Sequence, residues 1–259
     1  MPTIPLPISA VVIAHNEEKN IGRCLQSLQW VEEVLVLDSG SIDNTPQIAQ
    51  SFPNVKFMQV QWQGYAATKQ LGVNAAKNNT IFWVDADEEI SPQLQKEISD
   101  KWETINAQWK QHPIYTLPRK TFFMGEWIKY CGWYPDRQKR LFNKQYARFN
   151  TSAVHEDVEI IESGSISALS CDILHYSFQS IDKYFAKMNT YGKLGAEEMK
   201  NKGKKVAFTK LVFNPLWSFF QSYFMRLGIL QGKTGFIISC GNAYGKFIKY
   251  THFYYLDRK

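Results

Sequence analysis

The chain has little cysteine to build with: Cys24, Cys131, Cys171 and Cys240 are its four, and no two form a C-x-x-C pair. That spacing offers neither a zinc knuckle nor a disulfide framework, and it fits a reducing, cytoplasmic setting. The opening Met1-Pro2-Thr3-Ile4-Pro5-Leu6-Pro7 lacks the basic start and sustained apolar stretch of an export signal, so an exported protein is not expected. Long apolar runs are also missing. Between Val206 and Met225 the apolar character is broken by Lys210, Asn214, Pro215 and Gln221, which argues against a spanning helix of roughly 20 apolar residues. No G-x-G-x-x-G follows the first apolar run, where Ala14-His15-Asn16-Glu17 stands instead, and this disfavours a dinucleotide-dependent oxidoreductase. Internal repeats, low-complexity linkers and ribonucleoprotein-type motifs are absent too, and nucleic acid is not an expected partner.

What is present is enough apolar material for one substantial core with an appendage, at 44% hydrophobic and 21% charged residues. Thirty Lys and Arg against 24 Asp and Glu give a net charge of +6, which favours anionic partners, whether nucleotide phosphates, anionic lipid or nucleic acid, and charge alone does not choose among them. Apolar runs at Ile8 to Ala14, Val34 to Leu37, Val55 to Val60 and Thr80 to Val84 read as strands. Helical spacing lies between them: Ile21, Cys24, Leu25 and Leu28, then a helix capped at Thr45-Pro46, then Gly64 to Lys77. Ser91-Pro92 opens another helix with Leu94, Ile98, Trp102 and Ile105 on one face. This alternation predicts an α/β fold with a mostly parallel sheet, helices on both faces, and ligands at the carboxyl ends of the strands. Residues 114–175 read as short aromatic-rich strands and turns. A catalytic domain is expected over 1–180, with a helical, aromatic and basic extension over 181–259.

The candidate chemistry falls in the loops after the strands. Asp85-Ala86-Asp87 ends the fourth strand, where two carboxylates one residue apart suit a hard divalent cation that keeps water and phosphate oxygens as its other ligands. The alternative is a solvated acidic turn capping the helix that begins near Ser91. Asp38 ends the second strand and is either a nucleobase or ribose contact or a turn residue. Asn16 and Glu17 follow the first strand, where Glu17 either meets the ribose or base or compensates a helix N-terminus. Lys69 and Arg140 are candidates to neutralise a diphosphate, or are surface cations. In Val154-His155-Glu156-Asp157-Val158, two carboxylates beside a histidine suit a general base, or a structural ion pair.

Taken jointly, five stretches resemble glycosyltransferase family 2 with the GT-A fold: Val11-Val12-Ile13-Ala14-His15-Asn16-Glu17-Glu18; Leu37-Asp38-Ser39-Gly40-Ser41 with Asp43 and Thr45; Trp83-Val84-Asp85-Ala86-Asp87-Glu88; Arg140-Leu141-Phe142; and Val154-His155-Glu156. Leu174-His175-Tyr176-Ser177, Lys187-Met188-Asn189-Thr190-Tyr191 and Gly232-Lys233-Thr234-Gly235-Phe236 are most similar to the bacterial lipopolysaccharide-core members. The resemblance implies a Rossmann-like sheet and an inverting hexosyltransferase that uses a UDP-sugar and a divalent cation, Mg2+ or Mn2+. Glu17 and Asp38 would contact uridine, Asp85 and Asp87 the ribose and metal, and Glu156 would deprotonate the acceptor hydroxyl, with Asp157 its rival. The implied acceptor is a lipid-linked or lipopolysaccharide-core glycan. The aromatic, basic tail either rests on an anionic membrane surface at the cytoplasmic face of the inner membrane or packs as a helical core. A non-catalytic nucleotide- or carbohydrate-binding module with the same fold is the competing function. One departure stands out: Gln231-Gly232-Lys233 replaces an expected Asp-Gly before the late lysine.

Overall fold

A computed structural model describes residues 4–150 and 157–256. The chain opens with β1 (Leu6–Ala14), α1 (Ile21–Gln26), β2 (Val31–Asp38), α2 (Thr45–Gln50), β3 (Val55–Gln59), α3 (Tyr65–Ala75) and β4 (Thr80–Asp85). The expected strand and helix alternation is therefore present. β2 and β4 flank β1, and β3 lies beyond β2, with all three pairings parallel.

Both faces of β1, β2 and β4 are buried, which is why they read as near-continuous apolar runs instead of alternating ones. Ile8, Ala10 and Val12 enter a core with Ile21, Cys24 and Leu25 of α1 and Ala49 of α2. Val11, Leu35 and Leu37 face the other way, onto Val73 of α3. Gly72 lets α3 approach that face: a Cβ there would stand 2.5 Å from Val11 Cγ1 and 2.7 Å from Leu37 Cδ1.

After β4 come β5 (Glu88–Ile90), α4 (Pro92–Asp100) and α5 (Trp102–Ala107). Ser91 caps α4 by accepting from Leu94 N at 3.1 Å, as Ser-Pro at a helix start leads one to expect. The single helix read from Leu94 to Ile105 is broken at Lys101, yet all four apolar residues stay buried in one core. Thr45 differs from its expected role. Asn44 holds the cap position of α2, and Thr45 is the first helical residue with its hydroxyl turned to another loop.

The remaining strands are β6 (Ile114–Phe123), β7 (Glu126–Trp127), β8 (Asp136–Asn143), β9 (Ala147–Phe149), β10 (Val158–Ile160), β11 (Ile166–Ala168) and β12 (Ile173–Phe178). The sheet runs β3-β2-β1-β4-β8-β6-β12-β5, with β7 and β11 beside β6, while β9 and β10 form a separate antiparallel pair. Helices α6 (Ile181–Asn201), α7 (Thr209–Phe220) and α8 (Gly232–Leu256) follow, with a π-helical turn at Gln221–Met225 and a 3-10 turn at Gly228–Gln231 between the last two.

The chain divides into two compact units, Met1–Arg119 with Asp136–His175, and Lys120–Pro135 with Tyr176–Lys259. The second unit has its own core of Phe123, Ile128, Cys131, Phe178, Tyr184 and Ile238. Gly241 makes this core possible, because a Cβ there would lie 2.0 Å from the Tyr184 hydroxyl. Among the described residues no helix is long and apolar enough to cross a membrane.

Candidate active site

The parallel register brings the predicted residues to one edge of the sheet. Ala14 lies opposite Asp38, and Ile13 opposite Asp85, so the loops after β1, β2 and β4 emerge side by side at the strands' carboxyl ends.

The first two loops brace each other. Asn16 N donates to Ser41 Oγ at 2.8 Å and its side-chain oxygen accepts from Ile42 N at 2.9 Å. Glu17 N donates to Thr45 Oγ1 at 2.8 Å, and the Glu18 carboxylate accepts from Asn44 N at 3.2 Å. Asn16 adopts a φ of 56°, a left-handed conformation that asparagine tolerates better than most residues. The Asp38 carboxylate, 1% exposed, is taken up by its own turn, accepting from Gly40 N at 3.1 Å, Ser41 N at 3.0 Å and the Ser41 hydroxyl. Through these contacts its side chain serves the turn. The Glu17 carboxylate accepts from Asn20 Nδ2 at 2.7 Å.

A chain of opposite charges supports the loop after β4. Arg140 of β8, 5% exposed, bridges the Asp85 and Glu88 carboxylates through one guanidinium nitrogen. Glu88 also accepts from Asp85 N at 3.0 Å and lies 3.6 Å from Arg119, which donates through Nε to Asp136 at 2.9 Å. Burial alone would raise the Asp85 carboxyl, but Arg140, with Lys69 and His175, holds it well below the usual carboxylate range. Burial pushes the Glu88 carboxyl up against the pull of Arg140. Beneath them Cys24 Sγ lies 3.6 Å from Asp85 O, and burial, reinforced by the surrounding carboxylates, keeps it a thiol.

Asp87 points elsewhere: its Oδ2 lies 3.3 Å from His175 Nε2. β12 delivers this histidine, with His175 opposite Glu88 in the antiparallel β5 pairing. On the other face of the sheet, Lys69 Nζ stands 4.6 Å from the Trp83 ring and 5.6 Å from that of Phe149. Residues 9–163 match the family model described as glycosyl transferase family 2.

The chain belongs to glycosyltransferase family 2. It is 30% identical over 255 residues to the lipopolysaccharide core biosynthesis glycosyltransferase LpsC of Rhizobium meliloti (strain 1021), covering 94% of this chain and 90% of that one. An uncharacterised glycosyltransferase of Rickettsia conorii is 32% identical over 94% of this chain and 88% of its own. Among solved structures, S. aureus TarS residues 1–349 in complex with UDP-GlcNAc aligns over 97% of this chain and 91% of that chain, at 16% identity and a TM-score of 0.48.

In this family 2 transferase the Asp85 carboxylate pairs with Arg140, and Asp87 Oδ2 faces His175. Among the described residues no three His, Cys, Asp or Glu converge as a metal site. Arg140, read from sequence as a diphosphate contact or a surface cation, is buried here and pairs with Asp85 and Glu88. Asp157 sits beside the β9–β10 pair, whose Phe149 packs on Trp83 at 5.5 Å between ring centres. Its Oδ2 accepts from Lys139 Nζ at 2.6 Å and its Oδ1 from Val158 N at 2.9 Å. Glu156 lies outside the described residues. Glu88, Arg119 and His175 are the site residues that sequence reasoning did not single out. Glu88 hid in an acidic run, and His175 is distant in sequence from the loop it serves.

Proposed function

We propose that the chain is an inverting hexosyltransferase that moves a sugar from a UDP-sugar to a hydroxyl of a lipid-linked or lipopolysaccharide-core glycan. The observation that carries this reading is the pair of carboxylates at the end of β4, one fixed by Arg140 and the other facing His175. A carboxylate oxygen and an imidazole nitrogen 3.3 Å apart form a donor set that suits Mn2+, or Mg2+ with more water, and leaves positions open to phosphate oxygens. Asp87 and His175 would hold that cation, which when bound supplies positive charge to the departing diphosphate. Asp85, kept ionised by Arg140, is then available to orient the ribose, and Lys69 adds positive charge near the same strand end. The β1 and β2 loops, braced through Asn16, Glu17 and Ser41, offer the uridine a rigid floor that costs little to organise on binding.

The acceptor hydroxyl needs a base on the face opposite the leaving group. Both oxygens of Asp157 are engaged, which supports Glu156 in that role. Likeness to LpsC across nearly the whole chain supports a lipopolysaccharide-core acceptor, and the basic C-terminal segment supports peripheral attachment at the cytoplasmic face of the inner membrane.

A transfer assay with UDP-hexoses, Mn2+ and core-truncated lipopolysaccharide tests the reading. The expected result is UDP release with a product of inverted anomeric configuration, lost in Glu156→Gln while UDP binding persists. UDP binding without turnover of any donor, by hydrolysis or transfer, would instead mark a binding module.

A further inference from the structure

A second polar cluster lies wholly within the helical unit. A cavity of about 370 Å3 opens between the Cys131–Trp133 turn, the π-helical turn and α8, lined by Ser218, Gln221, Arg226, Asn242 and Lys246 among others and by no acidic residue. Its volume is that of a small-ligand site.

The cavity is built and not incidental. Arg226 N closes the π-helical turn on Gln221 O at 2.8 Å, and Arg226 O accepts from Cys131 N at 2.9 Å. Gly132, at φ 78°, makes room for the guanidinium, because a Cβ there would stand 2.6 Å from Arg226 Cδ and Nη1. Beneath, Asn242 Nδ2 donates to Ser222 Oγ at 2.9 Å and Ser239 Oγ donates to the same oxygen at 3.1 Å. Ser222 and Ser239 are 3% and 0% exposed. A π-helical turn inside an otherwise regular helical stretch is a frequent mark of a functional site.

Cations dominate this segment, with Lys202 paired to Glu198 at its start. Between Glu198 and Asp257 the chain carries nine Lys and Arg and no Asp or Glu. Burial, with Lys246 adding to it, pushes the Lys249 ammonium below its ordinary value. The same helical element is apolar on its outer side. No residue of α7 is buried, and Phe213, Leu216, Trp217 and Phe220 are 66%, 63%, 56% and 46% exposed. Phe220 links Trp217 at 5.7 Å to Phe224 at 5.2 Å in a continuous aromatic strip. A strip of this kind is far from the scattered single apolar residues of an ordinary surface. Ser218 and Gln221 line the cavity while their neighbours Trp217 and Phe220 face outward.

We propose that this cavity is a binding site for the phosphate headgroup of an amphiphile, with Arg226 and Lys246 holding the phosphate and the exposed face of α7 resting against the lipid. An Arg fork with a Lys beside it is the donor set that phosphate prefers, and exposed aromatics flanked by Lys and Arg suit an anionic lipid interface. The site deepens the reading of a lipid-linked acceptor and rests on it only for biological sense, since lipid binding and UDP binding are measured separately.

The test is binding of the full chain to phosphatidylcholine vesicles containing either phosphatidic acid, whose phosphate monoester is open, or phosphatidylglycerol at matched surface charge. The expected result is a preference for phosphatidic acid of about tenfold, on the scale of one charge-assisted hydrogen bond. Arg226→Gln with Lys246→Gln abolishes that preference, whereas Lys202→Gln with Lys205→Gln, the same loss of charge elsewhere, weakens binding to both lipids alike and keeps it. Trp217→Ser weakens binding to every vesicle. Equal binding of both lipids by the wild type, or a preference that survives in the Arg226 and Lys246 variant, would overturn the proposal. Titration with inorganic phosphate separates the sources. Arg226-dependent binding as tight as that to vesicles would mean a free-anion site and overturn the lipid assignment. UDP titration of each variant confirms that the fold and the donor site persist.

Discussion

Arg140 decides most of the local energetics, because it is buried between two carboxylates. Removing one member of a buried ion cluster leaves charge without compensation, so Arg140→Met should lower stability by about 3–5 kcal/mol, measured by urea unfolding. Arg140→Lys should rescue little, since one ammonium cannot reproduce a planar guanidinium between Asp85 and Glu88. The acid response follows from the directions of the shifts. Asp85 has a depressed folded value, so its contribution is complete above the ordinary 3.8 and is lost as pH falls through the depressed folded value. Glu88 is raised and acts in the opposite sense, its contribution being present below the ordinary 4.5 and lost as pH rises through its folded value. Melting temperature against pH should therefore fall more steeply below 3.8 in the wild type than in Asp85→Asn; parallel curves would show that Asp85 is not held ionised. Much of this was legible from residue order alone: Asp85 and Asp87 stand at a strand end because an apolar run stops there. The partners were not, because Arg119, Arg140 and His175 reach the loop through antiparallel strands whose register no local pattern specifies.

At the scale of elements, the first half of the fold follows from its sequence because local signals agree with each other. Ser91-Pro92 marks the start of α4 and its hydroxyl both caps the helix and donates to Asp172 O at 2.6 Å. Ser91→Ala should cost about 1 kcal/mol or somewhat more, read as a shift in the urea midpoint. Thr45-Pro46 shows where local reading stops. Thr45 looks like a cap, but its hydroxyl accepts from Glu17 N at 2.8 Å in the neighbouring loop, a contact that exists only once β1 and β2 are paired. Thr45→Val should consequently weaken UDP binding more than it lowers stability. Equal UDP affinity in the variant and the wild type would show that the two loops do not need the brace. Gln231 teaches the same lesson in the helical unit. Where the family resemblance leads one to expect Asp, its amide donates to Glu126 at 2.6 Å and to Trp127 O at 3.0 Å, fixing the β7 turn.

For the whole molecule, the division of labour is one of charge. The sheet unit concentrates acidic groups at its carboxyl edge, while the helical unit runs nine cations without an acid between Glu198 and Asp257. Attraction of the chain to anionic surfaces should weaken as salt shortens the screening length to about 8 Å near physiological ionic strength, whereas the Arg140–Glu88 pair, being buried, should be nearly indifferent to salt. In the proposed mechanism the β4 carboxylates and His175 form a metal-assisted UDP site. Isothermal titration of UDP with and without Mn2+, on the wild type, Asp87→Ala and His175→Ala, tests it most directly. The expected result is tight binding that requires Mn2+ and drops by about 10–100-fold in either variant, on the scale of losses seen when a metal site is disturbed. UDP affinity that is the same with and without Mn2+, and unchanged by either substitution, would contradict it.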